Sequence, residues 1–540
     1  MSHTTPQHVD TLLKNGVLVD GTGRPAYRGD IGVTGDKIVA LGDLTHVTSS
    51  VERDVNGHHI APGFIDIHTH SDISITYDPL QSSALAMGVT TQVTGNCGLS
   101  MGLVQNSDVF DMERRWLALH GARIRWSNFE EHFRQISDTG IATNYLTLVG
   151  HGSVRKRVMG LSPNLPTRSE LAQMQAEVAK GMESGAFGLS SGLEYPPASF
   201  ANEDELVALC NTVAEYGGLY ATHLRNEGDT LIEAVQEALN ISERASLPLQ
   251  LSHHKAEGQA NWGKVTQTLQ MIDAARAKGR DVQLDQYPYT AFMTALAVQT
   301  LPAWANAGSV QEVAKRLQDP QARAKITAEI RAKNPSWDSL EPGTHWHNVQ
   351  IGICRGKPEY EGKTVAVLAA AAGSNPLDFV LDLLAQAHYF IAAVNFAIGE
   401  EDIARVLQHP FTSIGSDGVG TNINTATNTE KIHPRTYGTF PRVFARYVRE
   451  LGILTEEQAV HKMTLLPANR LGLHDRGRLA VGAYADIVVY DPNTIGDTAT
   501  FDNPHRYAQG IHLALVNGRT AWENGQATQN RSGAILRHRP

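Results

Sequence analysis

Cysteine is scarce in this sequence: Cys97, Cys210 and Cys354 stand far apart in 540 residues. An odd, sparse set builds no disulfide framework and points to a reducing compartment. Long apolar runs are also lacking. None reaches the roughly 18 residues that a membrane helix requires, so no segment is expected to span a bilayer. The opening stretch MSHTTPQHVDTLL has neither a basic region nor an apolar core. No secretory signal is expected, and the expected location is cytoplasmic. Positive charge is short as well, with 46 basic against 56 acidic residues and a net charge of −10. That excludes a broad nucleic-acid or anionic-membrane surface and still allows one small basic pocket.

Apolar residues make up 41% and charged residues 19% of the chain, enough to bury a sizeable core. At about 150 residues per domain the length suggests three or four domains, or fewer if one is a large α/β barrel. The first 60 residues read as short strands punctuated by Gly-Asp and Asp-Gly turns: LLKNGVLVDG, DIGVTGDKIVALG and the run ending HHIAPG. The last 70 read alike, through LAVGAYADIVVYDP and HLALVNGRTAWENG. Two β-rich ends suggest one small sheet domain, residues 1–62 with 472–540.

Between them, residues 63–471 alternate. Eight β-rich runs (GFIDIHTH, TTQVTGN, NYLTLVG, FGLSSG, LYATHL, LPLQLSHH, DVQLDQY and FTSIGSD) are separated by helix-like stretches. Helix starts are expected at Asn202 and at Asp229 or Thr230. Repeated β-then-α units imply a parallel sheet. Eight such strands fit a (β/α)₈ TIM-like barrel; a doubly wound open sheet is the alternative. The charged helices VQEVAKRLQ and QARAKITAEIRAK break the rhythm, which places a helical insert at about 295–348.

Candidate chemistry collects at the strand ends. His68 and His70 close an apolar strand, and residues two apart face one side, so both imidazoles can meet one ion. Asp72 behind them reads as a turn cap. Cys97 lies in TGNCGLS, where flanking glycines permit close backbone approach. It reads either as a metal-binding thiolate or as a small buried apolar residue. His223 ends one strand, and His253 and His254 end another. Parity puts His253 and Lys255 on one face and His254 on the other, which assigns metal to His253. Two or three His/Cys ligands with an open position describe catalytic rather than structural zinc. Asp417 closes the last strand, either as a proton carrier or as an Asp-Gly turn residue.

These stretches resemble the amidohydrolase superfamily and, within it, the N-acyl-D-amino-acid deacylases (D-aminoacylases). The matching motifs are APGFIDIHTHSD, GVTTQVTGNCG, LVGHGSVR, GLSSGLEYPP, ATHLRNE, LSHHK, DQYPYTA, IGSDG and HPRTYGTFPRVF. The resemblance implies a distorted barrel, a small β-sandwich built from both termini and a helical insert after YPY. It implies a zinc ion held by Cys97, His223 and His253. A second, weaker metal position near His68 and His70 would share Cys97, with Asp417 as catalytic acid/base. It also implies that Lys255, Tyr287 and Arg435 hold the substrate carboxylate. The implied reaction is hydrolysis of the amide of an N-acyl-D-amino acid, a small-molecule substrate.

Two segments depart from the family pattern. The loop from Gly418 to Ile432 is longer and rich in Asn and Thr, and FMTAL replaces a Ser/Thr-rich segment after YPYTA. Both are expected to line the substrate side, the first as a mobile polar wall. The alternative activity is a cyclic-amide hydrolase of the dihydroorotase or hydantoinase kind, normally with a carboxylated lysine on the fourth strand. FGLSSGLEY has no lysine, and Glu194 there reads as a bridging acid or an ordinary structural one. A non-catalytic assembly protein is the third reading, opposed by retention of the whole ligand set.

Overall fold

The structure is a computed structural model, described here for residues 6–332, 346–387, 389–423 and 430–539. It is a mixed α/β protein. All eight strand runs read from the sequence are strands: β1 (Phe64–Asp66), β2 (Val89–Thr94), β3 (Asn144–Thr147), β4 (Gly188–Gly192), β5 (Leu219–His223), β6 (Leu249–Leu251), β7 (Val282–Gln286) and β8 (Thr412–Ile414). Nearly every residue in them is buried, the polar ones included.

Consecutive strands pair in parallel. β1 pairs with β2, and β2 with β3. Val149–Gly150, just past β3, pairs with β4. The ladder then continues through β5, β6 and β7 to β8. The last strand returns to the first: Thr69 bridges Gly418 in parallel, the His70 amide donates to Gly418 O at 2.7 Å, and the Asp417 amide donates to His68 O at 2.7 Å. The carboxyl ends of the strands therefore share one rim. Helix Glu203–Ala214 follows β4 and starts at Asn202, whose side chain accepts from the Glu205 amide at 3.0 Å. Helix Leu231–Ala245 follows β5. Thr230 precedes it without a side-chain cap, and the Asn226 side chain accepts from the Thr230 amide at 2.7 Å instead.

Both chain ends meet in one sheet of nine strands among the described residues. His59–Pro62 pairs antiparallel with Ile487–Tyr490, which joins the N-terminal strands to the C-terminal ones. Leu13, Ile31, Ile60, Ile487 and Leu515 pack together on this sheet.

The segment between β7 and β8 is larger than the sequence suggests. Its strands Phe292–Ala295, Val349–Ile353 and Ala392–Asn395 form an antiparallel sheet, and its apolar cluster runs from Leu296 to Ala393. The lobe therefore extends well beyond residue 348, because the central strand of its sheet is the last one in sequence. Part of the insert, residues 333–345, lies outside the described residues.

One buried polar joint fastens the terminal sheet to the ring. Asp486 and Arg476 are an ion pair at 5% and 4% exposure. Asp486 also accepts from Asn144 Nδ2 of β3 at 3.0 Å and from the Asn517 amide at 2.8 Å. Removing one partner of a buried pair strands the other charge in low dielectric and costs about 3–5 kcal/mol. Asp486→Ala is therefore expected to lower stability by about that much in denaturant unfolding. A loss below about 1 kcal/mol, the size of an ordinary surface change, would show that the joint is dispensable.

Candidate metal centre

The rim gathers the donors. Cys97 follows β2 and takes a left-handed backbone, φ 51°. Gly98 continues the turn at φ 74°. Gly192, at the end of β4, lets the loop lie against that strand: a Cβ there would come within 2.3 Å of Cys97 O. The thiol is thus delivered to the centre of the rim by backbone that larger residues cannot follow.

Cys97 belongs to two groups of donor atoms, each group lying within 4.8 Å: His68, His70, Cys97 and Asp417; and Cys97, His223 and His253. Its Sγ is 3.3 Å from His68 Nε2, 3.6 Å from His253 Nε2 and 3.9 Å from His223 Nδ1. His223 Nδ1 and His253 Nε2 are 2.9 Å apart. His70 Nε2 is 3.1 Å and His68 Nε2 3.6 Å from Asp417 Oδ1. All six residues read from the sequence as metal or acid/base candidates meet here. His254 does not; its Nε2 lies 2.7 Å from Thr268 Oγ1. Asp72 accepts from the Met101 amide at 3.4 Å and lies outside both donor groups.

Three placements arise differently from the sequence argument. β8 ends at Ile414, so Asp417 stands three residues past its strand, with φ 50°. β1 ends at Asp66, so His68 and His70 stand on the bend past it, flanking Thr69, which bridges to Gly418. β6 ends at Leu251, and His253 turns into the rim with φ 33°. A turn, not strand parity, therefore brings His253 and Lys255 together, with Lys255 Nζ 3.1 Å from His253 Nδ1.

The sequence reading named Glu194 only as a bridging or structural acid and did not place Asp285 or Glu227 behind the imidazoles. Asp285 Oδ1 is 3.2 Å from His68 Nδ1, Glu194 Oε2 is 2.8 Å from His223 Nε2, and Glu227 Oε1 is 3.2 Å from His253 Nδ1. Each ring presents one nitrogen to the centre and the other to an acid; at His223 and His253 that contact is a hydrogen bond, the arrangement that fixes a ligating histidine. Glu194 thus sits behind His223 and does not bridge the two groups. Only Glu227, four residues after His223, left a spacing clue. Asp66 was missed too; it accepts from the Ser416 and His68 amides, and burial pushes its carboxyl up to about 7.

Electrostatics fit a cation. Burial alone would raise the Cys97 thiol, but His68, His223 and His253 hold it well below its usual value. Burial disfavours a charged His68, yet the Cys97 thiolate and Asp285 push it well above the usual imidazole value. His70 goes to about 9 against burial, through Asp417 and Cys97. The thiolate is balanced by protons on rings that a divalent ion would displace, since ligands bind deprotonated.

The three proposed carboxylate binders stand beside this centre. Lys255 is paired with Glu227. Arg435 Nη1 is 2.8 Å from Asp417 Oδ2, and its Cζ is 5.0 Å from the Tyr287 ring centroid. Burial opposes a charged Asp417, but Arg435 and His70 hold it well below the usual carboxylate range. Tyr287 is buried and its hydroxyl has no hydrogen-bond partner among the described residues. His433 of the HPR motif accepts the Arg435 amide at 3.0 Å and so orients that residue. Thr294 of FMTAL donates to the hydroxyl of Tyr195, whose ring lies beside His223. The loop after Asp417 is tied down at its described ends: the Gly420 and Thr421 amides donate to Ser71 and Ser83, and Lys431 to Asp502 O. Its residues 424–429 lie outside the described residues.

Parallel strands whose carboxyl ends converge on imidazole, thiolate and carboxylate donors define a metal-binding α/β protein. The amidohydrolase family profile matches residues 51–521, and the chain belongs to that family. It is 36% identical to a D-aminoacylase of Alcaligenes xylosoxydans xylosoxydans, across 99% of each chain. A crystal structure of D-aminoacylase superposes with a TM-score of 0.81 at 34% identity, covering 98% of this chain and 100% of that one. The N-acyl-D-glutamate deacylase of Bordetella bronchiseptica, solved with zinc and a phosphonate inhibitor that mimics the tetrahedral intermediate, matches with the same TM-score and coverage at 33% identity. No single helix among the described residues is long and apolar enough to cross a membrane.

Loss of an acid behind a ligating histidine typically weakens metal binding by about 10–100-fold. Glu194→Ala is expected to do so in chelator competition, with the fold unchanged by circular dichroism. Unaltered metal retention would remove Glu194 from the centre.

Proposed function

We propose that this chain hydrolyses the amide bond of N-acyl-D-amino acids, releasing a carboxylic acid and a free D-amino acid. The observation that carries the reading is the unpartnered Tyr287 hydroxyl, set with Lys255 and Arg435 beside a thiolate-centred donor set. In this reading the ring of β1–β8 is a distorted (β/α)₈ barrel over residues 63–471. Residues 1–62 and 472–540 make a small β-sandwich. Cys97, His223 and His253 hold one tight Zn²⁺, and His68, His70, Cys97 and Asp417 offer a second, weaker position. The cysteines of the chain are free and buried, which suits the cytoplasm.

A zinc ion in such a site supplies Lewis acidity, polarising the amide carbonyl and acidifying a water. The residues supply the rest. Arg435, Lys255 and Tyr287 bind the substrate carboxylate, the guanidinium as a fork and the other two completing its hydrogen bonds. A carboxylate that draws the guanidinium toward itself loosens the Arg435–Asp417 pair and frees Oδ2. Asp417 then takes the water proton and delivers it to the departing amine. With carboxylate and scissile carbonyl both fixed, D and L substrates direct their side chains to opposite sides, and a wall that admits only one side is the origin of D-selectivity.

β4 carries no lysine and the Cys97 thiol stands between the two donor groups, which disfavours the cyclic-amide reading. A screen of N-acetylated D- and L-amino acids is expected to release amine from D-substrates. Turnover of dihydroorotate or a hydantoin, with none of acyl-D-amino acids, would overturn the proposal.

Asp417→Asn tests the proton carrier. It is expected to keep the tight metal and lose about 10²–10⁴-fold in kcat, the span typical of general acid–base groups. Full turnover in that variant would place the proton elsewhere.

A further inference from the structure

A second cluster of metal-type donors lies on the terminal sheet, built from residues that the centre at the strand rim does not use. His58 immediately precedes strand His59–Pro62, Asp491 immediately follows strand Ile487–Tyr490, and His512 lies in strand Ile511–Val516. The register makes this meeting obligatory. His59 pairs with Tyr490, Tyr490 pairs with Ile511, and the Asp491 amide donates to Gly510 O at 3.0 Å. Three neighbouring strands thus bring the three side chains to one edge.

The His58 and His512 rings stack with centroids 4.3 Å apart and planes 12° from parallel. One donor atom from each imidazole and a carboxylate oxygen of Asp491 all fall within 4.8 Å of one another. Ligands about 2.0–2.2 Å from a tetrahedral ion stand about 3.3–3.6 Å apart, so the trio lies near ligand spacing and closes on one ion when the two rings turn out of their stack. The carboxylate is already fixed. Asp491 Oδ1 accepts from the Asn493 amide at 2.9 Å and Oδ2 from Thr494 Oγ1 at 2.8 Å, and no lysine or arginine pairs with it among the described residues. Neither imidazole has a side-chain hydrogen bond among the described residues. An anion held in place beside two stacked rings with unused nitrogens is a first-row transition-metal donor set, with open positions left to water.

We propose that His58, Asp491 and His512 form a separate, partly exposed site for a divalent transition ion of the Zn²⁺, Cu²⁺ or Ni²⁺ kind. By joining the strand that leads into β1 to two C-terminal strands, the ion clamps the terminal sheet. It stands apart from turnover.

The test uses the metal-loaded, full-length protein titrated with Cu²⁺. The wild type is expected to take up an additional equivalent with a two-nitrogen hyperfine pattern in its electron paramagnetic resonance spectrum and a raised thermal midpoint. His512→Ala, an exposed position, is expected to leave kcat unchanged, bind the added Cu²⁺ about tenfold or more weakly and show one nitrogen. His58→Ala is expected to behave the same way. An unchanged spectrum and affinity in both variants would overturn the proposal. So would a wild type that takes up no Cu²⁺ beyond the Cys97 centre.

Discussion

The whole rim is organised around one buried thiolate. Cys97 stands where two donor groups overlap and is the one residue that belongs to both among the described residues. Its position is a backbone problem before it is a chemical one. The chain after β2 must turn left-handed at Cys97 and again at Gly98, and must pass within contact of the end of β4. His253 and Asp417 also adopt positive φ. Such conformations are rare outside glycine and persist only where the surrounding structure over-determines them. Here the ring of strands does so, which is why a scaffold of this size carries a site of a few side chains.

Charge sets the next layer. A thiolate and several carboxylates packed at low exposure would repel one another. The imidazoles stand between them, each ring using one nitrogen inward and one outward. His68 with Asp285, His223 with Glu194 and His253 with Glu227 repeat a single device. An acid behind the ring fixes its tautomer and raises its basicity toward whatever sits inside. Lys255 belongs to the same balance, because its ammonium neutralises Glu227 while standing beside His253. The arrangement is therefore a network in which no single residue has an independent value, and single substitutions in it will not add.

Much of this was legible in the sequence, and the boundary between legible and hidden has a physical basis. The eight core strands could be read because each is a short β-rich run set off by helix-like stretches, and all are buried once the ring closes. The donors that gather at the rim could be read because His and Cys are rare at such positions. The roles of the supporting acids could not. Glu194, Glu227 and Asp285 are ordinary residues in their local segments, and only the closed ring reveals that they face an imidazole. Strand parity gave a workable answer for His253 and Lys255 by a route the chain does not take, since β6 has ended before either residue. The lobe between β7 and β8 was underestimated for a related reason. Its helices are strongly charged and conspicuous, whereas its last strand, Ala392–Asn395, is four short residues that acquire meaning only by pairing on both sides.

The pairing of Arg435 with Asp417 bears on how an acidic protein would recognise the carboxylate of the proposed substrate. The net charge of the chain governs long-range attraction, but selection at the rim depends on which cation is held ready and by what. Arg435 is kept in place by His433 at its backbone and by Asp417 at its guanidinium. It is thus pre-ordered without being committed, because Asp417 is itself a group whose other oxygen faces His70. In the proposed reaction the incoming carboxylate competes for the same guanidinium, so binding of the correct substrate alters the group assigned to carry the proton. A neutral amide in place of that carboxylate would leave Asp417 paired. Recognition and proton transfer would then be coupled through one arginine, and selectivity would be expressed in kcat as well as in KM.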